Sequence, residues 1–196
     1  LSRNTMGMIG FVLIVLIVVV IPVAAFAFSR SGKGLEELGK GTFAIDREAP
    51  PEAALEMVQW VIAQPCDEVA GIGIDYREND RPPELFAEAY RAARQAGLKT
   101  TAHAGEFGMP WTNVQTAVEL LKVDRIDHGY TVVDAPDFAR RCADAGIVFT
   151  VVPTNSYYLR TLAPQRWALD HPIRRMPGLG LRVHPNTDDP TLHHVT

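Results

Sequence analysis

LKTTAHAGE, residues 98–106, joins a short strand-like run to a histidine and a carboxylate. His103 ends the run, and Glu106 follows three residues later across Ala104 and Gly105. Because the two intervening residues are small, a ligand can approach the backbone closely, and both polar side chains can reach one cavity from a tight turn. A histidine at the end of a strand can also be a hydrogen-bonded structural residue, so this segment is interpreted together with two others.

Two later segments have the same arrangement. RIDHGY, residues 125–130, places His128 at the end of a strand-like run, where it could titrate near neutrality and act as a base or an electrostatic clamp. NTDDP, residues 186–190, holds the adjacent carboxylates Asp188 and Asp189. Burying both would require a cation or a shared proton, and the alternative is a solvated turn. Polar groups at the carboxyl ends of three parallel strands are typical of a metal-dependent hydrolytic site in a barrel.

The rest of the chain predicts an alternation of strands and helices. Strands are predicted at residues 42–46, 69–75, 98–103, 125–129, 147–152 and 181–184, with helical connections between them. One connection carries a capping-box pattern at Thr112 and Gln115. Strict alternation indicates a parallel sheet with covered faces, and no Gly-rich phosphate loop follows the first strand. We therefore expect an α/β fold, a partial (β/α) barrel of TIM type, because 196 residues fall short of the roughly 250 of a complete barrel.

Residues 6–28 contain no charged side chain and are apolar on every face. A stretch of this length can cross a hydrocarbon core of about 30 Å, which predicts a transmembrane helix within residues 1–28, a linker at 29–40 and a barrel domain at 41–196. The flanking Lys and Arg residues put the C-terminal side in the cytoplasm, so the sequence predicts a membrane-anchored protein with a cytoplasmic catalytic domain. The alternative is an assembly accident that joined foreign residues to an interrupted reading frame, which leaves a cytoplasmic protein. Since the chain begins with Leu1, we expect its ends to be cuts in a longer frame.

The composition excludes one class of partner. The formal charge of −4, the pI near 5.9 and the scattered Lys and Arg residues give no reason to expect nucleic acid or an anionic surface. Cys66 and Cys142 lie far apart without CxxC spacing, which indicates a reducing environment and no thiolate metal site.

The three segments suit one kind of hydrolysis. Zinc held by histidine and aspartate lowers the pKa of its water towards 7, while a carboxylic acid can protonate a heteroaromatic nitrogen. Hydrolytic removal of an amine from a purine uses this arrangement. In sequence, order and strand context, the three segments resemble those of the adenosine deaminase family of metal-dependent hydrolases, and the resemblance extends over residues 41–196. It implies hydrolysis of adenosine, a purine nucleoside, to inosine and ammonia with one Zn²⁺ per chain.

The resemblance also implies a role for each motif residue. His103 and Asp188 would be zinc ligands. Glu106 would donate a proton to purine N1, and His128 would orient or deprotonate the zinc-bound water. Asp189 would hold the attacking water or the substrate.

Two features depart from the family's pattern. No H-x-H pair, the source of two further zinc ligands in the family, occurs in this sequence, and nothing before Gly41 resembles the first two barrel strands. The zinc ion would therefore have two protein ligands of the usual four unless the others are supplied, and the role of His184 is open. Residues 73–78 (GIDYRE) give no definite position for the glycine that the family places against the purine.

Three hypotheses follow from these observations. The first is a deaminase whose missing strands lie in an upstream frame. The second is a catalytically inactive, membrane-anchored remnant or binding module of the same family. The third keeps the family but takes adenine, AMP or a modified aminopurine as substrate.

Overall fold

The computed structural model describes residues 41–106, 108–159 and 162–188 of the chain. Its strands are β1 (Gly41–Asp46), β2 (Val69–Asp75), β3 (Lys99–Ala104), β4 (Arg125–His128), β5 (Val148–Val151) and β6 (Arg182–Pro185). Its α-helices are α1 (Pro51–Ala63), α2 (Ala87–Gln95), α3 (Trp111–Thr116), α4 (Pro136–Asp144), α5 (Pro153–Tyr158) and α6 (Pro164–Asp170). A π-helical turn (Ala117–Leu121) extends α3, and 3₁₀ turns occupy Pro83–Phe86, Tyr130–Asp134, Pro172–Arg174 and Pro177–Leu179.

The strands lie side by side in chain order, β1-β2-β3-β4-β5-β6. Pairing is parallel from β2 through β6, and the register sets His103 beside Asp127, Asp127 beside Thr150, and Thr150 beside His184. A doubly wound sheet reverses its strand order at a switch point, whereas a barrel wall runs in consecutive order. The predicted α/β fold is therefore confirmed, and the sheet is consistent with part of a TIM-type barrel.

Burial follows the pattern expected of such a wall. The middle of β2 is buried on both faces, as in parallel sheets covered by helices. Helices α2 and α4 each bury one stripe in the hydrophobic core and expose the other. The carboxyl ends of the strands consequently share one edge of the sheet, where the motif residues lie.

Two expectations from the sequence require correction. The capping box predicted at Thr112 and Gln115 is wrong, because Pro110 is the N-cap of α3, without a capping side-chain hydrogen bond, and Gln115 donates instead to Glu119. The predicted membrane-anchored localisation is also withdrawn. Across residues 41–106, 108–159 and 162–188, no helix is both long and apolar enough to cross a bilayer. The apolar stretch at 6–28, on which that prediction rested, lies outside the described residues.

Candidate active site

Two histidine rings from neighbouring strands meet at the carboxyl edge of the sheet. His103 is the next-to-last residue of β3, His128 ends β4, and their ring centroids are 4.4 Å apart in an edge-to-face contact. His103 Nδ1 lies 3.3 Å from His128 Nε2, and on its other side His103 Nε2 lies 3.4 Å from Asp75 Oδ1. The parallel register of β3 and β4 produces this contact, because Ala104 pairs with His128 and brings the two strand ends level.

Glu106 lies on the far side of His128, on the turn after β3. Its Oε1 is 4.0 Å from His128 Nδ1 and has no hydrogen-bond partner among the described residues, although the side chain is only 22% exposed. Burial raises the pKa of the Glu106 carboxyl; the nearby His103 opposes this rise, and the negative charges of Glu78 and Asp188 add to it. A protonated, hydrogen-bond-donating form of this carboxyl is thus brought closer to neutral pH.

The pKa of His128 is shifted in the opposite direction from that of Glu106. The His128 side chain is almost completely buried, and burial lowers its pKa well below the usual value, with the positive charges of His103 and Arg47 contributing further. The imidazole is therefore neutral near pH 7 and can accept a proton. Its backbone and that of Gly129 are both left-handed, with φ near 67°, which turns the chain sharply after β4.

The loop after β6 brings one of the two predicted aspartates to the same place. Asp188 is half-buried, and its charge lies near enough to raise the pKa values of both Glu106 and Tyr130. Asp189 lies outside the described residues. His184 is exposed on β6, opposite Thr150 in the sheet register.

Glu78 is a site residue that lies outside the three sequence motifs. It lies three residues beyond β2, is 4% exposed, and accepts hydrogen bonds from the backbone N–H groups of Gly105 and Glu106. Asn113 donates a third hydrogen bond to it from α3. A carboxylate following a strand end was the available signal, but the residues that it contacts are 27 to 35 positions away in the sequence.

Arg47 is a second residue that was missed. It follows β1, is wholly buried, and donates from Nη2 to the His103 carbonyl oxygen at 2.7 Å. Its Nε and Nη1 groups have no hydrogen-bond partner among the described residues. Burial lowers its pKa, and the carboxylates of Glu78, Asp75 and Glu106 partly oppose that shift. A buried cation thus stands among three carboxylates at this edge of the sheet.

The described residues do not form a complete metal site. A zinc ion in a protein takes four ligands, of which at least three come from the chain. Among residues 41–106, 108–159 and 162–188, no three His, Cys, Asp or Glu side chains are grouped to hold a metal ion. His103 and Asp188, the two ligands implied by the resemblance, would need donors from outside the described part of the chain.

Comparisons with known proteins agree with this geometry. Residues 34–196 match the sequence profile of the family described as adenosine deaminase. An adenine deaminase from Caulobacter vibrioides is 40% identical over 146 residues, which are 74% of this chain and 40% of that protein. Another adenine deaminase, from Rhodopseudomonas palustris, is 42% identical over 124 residues, 63% of this chain and 35% of that protein. This chain spans about 40% of the length of the curated relatives that it matches.

Two solved structures of related proteins also resemble this chain in sequence and in fold. A cog1816 amidohydrolase from Burkholderia ambifaria, with bound Zn, shares 69% identity and a TM-score of 0.77, covering 80% of this chain and 43% of that chain. An adenine deaminase from Arthrobacter aurescens shares 34% identity and a TM-score of 0.71, covering 78% of this chain and 45% of that chain. The profile match over most of the chain, and the strand ends that carry its motifs, lead to one conclusion. The chain belongs to the adenosine deaminase family of metal-dependent hydrolases.

Proposed function

We propose that this chain carries the proton-transfer groups of an aminopurine deaminase. The observation that supports this most strongly is the Glu106 carboxyl, which is buried, has a raised pKa and holds its Oε1 4.0 Å from the neutral His128 ring. A carboxylic acid with a raised pKa can donate a proton at neutral pH, and a neutral imidazole can accept one. Hydrolytic deamination needs an acid for the ring nitrogen and a base for the water that attacks the neighbouring carbon.

In the proposed reaction, Glu106 protonates the ring nitrogen next to the amino-bearing carbon. That carbon then accepts the oxygen of a water molecule, whose proton passes to His128. The carbon–nitrogen bond to the amino group then breaks as His128 returns its proton to the departing ammonia. The remaining proton of the added hydroxyl passes to Glu106, which restores the acid and leaves a carbonyl oxygen on the ring in place of the amine. One water is consumed and one ammonia is released, so no oxidant or reductant is required.

Adenine is the substrate that we propose first. The relatives from Caulobacter and Rhodopseudomonas carry the name adenine deaminase, and so does the Arthrobacter structure. The sequence alone favoured adenosine, which remains a candidate beside adenine and AMP. All three present the same amino-bearing ring to Glu106, and they differ only in what is attached to the purine at the opposite side.

A divalent metal is part of the proposal, with His103 and Asp188 as its ligands from this chain. The Burkholderia amidohydrolase was solved with bound Zn, which makes zinc the first metal to test. When bound, such an ion would supply a water of lowered pKa for the hydrolysis. The described residues leave the remaining ligands to be identified.

Ammonia release by the 196-residue chain tests the proposal. The chain would be assayed with adenine, adenosine and AMP in the presence of added Zn²⁺, and we expect turnover to be highest with adenine. Glu106→Gln should lower kcat by about 10²-fold or more, because general acid catalysis contributes on that scale. Glu84→Gln, the same change at an exposed position, should leave kcat unaltered. Ammonia release that survives Glu106→Gln would contradict the assignment of the proton donor.

A binding module without turnover is the second candidate. The observation in its favour is the absence of a three-ligand metal group from the described residues. Calorimetric titration distinguishes the two: a module would bind adenine with no ammonia released at any zinc concentration, whereas an enzyme would release ammonia once its metal is supplied.

A further inference from the structure

The turn that carries Glu106 is held by a side chain from another strand. Glu78 Oε2 accepts from the Gly105 N–H at 3.0 Å, and Glu78 Oε1 accepts from the Glu106 N–H at 2.9 Å. Asn113 Nδ2 donates to Glu78 Oε2 at 2.8 Å, which fixes the carboxylate itself. Both oxygens of one buried carboxylate are therefore occupied by donors, two of which are consecutive backbone amides.

These two amides lie beyond the end of β3, so the sheet does not supply their hydrogen-bond acceptors. Gly105 follows the last residue of β3, and its φ of 66° takes the chain out of the strand ladder. The other face of the turn is also fixed, since the Gly105 carbonyl oxygen accepts from the Thr131 N–H at 3.0 Å. A Cβ on Gly105 would lie 2.4 Å from Val114 Cγ2, so the turn packs closely against α3 and a side chain at this position would not fit. The two amide hydrogen bonds to Glu78 thus contribute to fixing where the Cα atom of Glu106 lies.

A carboxylate suits this position better than its amide analogue. It is an acceptor at both oxygens, whereas a glutamine side chain has one acceptor oxygen and an NH₂ group that would face a backbone N–H. A buried N–H without an acceptor is costly, so one of the two amides would have to move. The near-isosteric change Glu78→Gln therefore tests the hydrogen bonds with almost no change in volume.

We propose that Glu78 is a positioning residue, which holds the Glu106 carboxyl against His128 by binding the amides of Gly105 and Glu106. The proposal deepens the proposed function, since it rests on Glu106 as the proton donor. Glu78 contacts the turn and not the proton-donating oxygen, so it acts through Glu106.

Amide hydrogen exchange of the full 196-residue chain, followed by NMR, tests the hydrogen bonds without any need for turnover. In the unsubstituted chain, the Gly105 and Glu106 amides should exchange much more slowly than other amides outside regular elements. Glu78→Gln should speed their exchange by about tenfold or more, and Glu84→Gln should not. Rapid exchange of both amides in the unsubstituted chain would overturn the proposal even if Glu78→Gln failed to fold.

A second readout tests the positioning of Glu106. A nuclear Overhauser contact between the Glu106 side chain and the His128 ring is expected in the unsubstituted chain and in Glu84→Gln, and its loss is expected in Glu78→Gln. If the amides lose protection while this contact persists, Glu78 is only structural and the proposal fails. In kinetics, Glu78→Gln should lower kcat by about tenfold or more and change KM little. An unsubstituted chain without turnover would instead count against the proposed function and leave the NMR result standing.

Discussion

At the scale of single residues, the burial of Glu106 has a consequence for stability. Burial raises its pKa above the usual 4.5, so the folded chain keeps this proton over a pH range in which the unfolded chain has released it. The free energy of unfolding therefore falls as the pH rises from about 4.5 through the folded pKa, by about 1.4 kcal/mol per pH unit between the two pKa values. Glu106→Gln removes the titration, so it should stabilise the chain at pH 8 and less so at pH 5.

Urea unfolding with EDTA present, at both pH values, measures this difference. Glu84→Gln serves as the control, since the same loss of charge at an exposed position should change stability little at either pH. Equal stabilisation by Glu106→Gln at pH 5 and pH 8 would show that the carboxyl is not held with a raised pKa.

Some residues of this site could be predicted from the sequence and others could not, and the difference lies in how far apart in the sequence their partners are. His103, Glu106 and His128 were identified because each lies at or just beyond the end of a strand-like run, and the parallel register brings those strand ends together. Glu78 and Arg47 were missed because their roles depend on approaches across 27 and 56 positions in the sequence. No local pattern encodes an approach of that kind.

At the scale of elements, His171 makes the stability of a short 3₁₀ turn depend on pH. Its Nδ1 accepts from the Ile173 N–H as the N-cap of Pro172–Arg174, which requires the neutral ring. Burial lowers its pKa from 6.5 to about 4, so the unfolded chain takes up this proton first as the pH falls. The free energy of unfolding should thus drop by about 2 kcal/mol between pH 7 and pH 5.

His171→Asn should remove most of that drop, because asparagine can cap the turn without titrating. Urea unfolding at the two pH values checks this, with His184→Asn, at an exposed position of β6, as the matched control. A pH dependence that His171→Asn leaves intact would place its origin in another group.

The elements themselves were the most predictable part of the molecule. The strand predicted at 69–75 has those bounds, and the other five strands differ from prediction by one residue or so at an end. The apolar runs and the prolines that begin α1, α4, α5 and α6 are local signals, and local signals suffice for elements. The capping box failed because Thr112 lies inside α3, where Pro110 had already set the start of the helix.

At the scale of the whole molecule, the described strands follow the consecutive order of a barrel wall, and the metal donors that they offer are few. Complete structural zinc sites contribute about 10–16 kcal/mol, so two ligands of four should leave binding at about micromolar affinity or weaker. We expect calorimetric titration of the chain with Zn²⁺ to show this weak binding, and His103→Ala or Asp188→Ala to abolish it. His184→Ala should leave it intact, because that side chain is exposed on β6. Nanomolar binding would instead require donors beyond the described residues of this chain, and a loss in His184→Ala would assign His184 as one of the ligands.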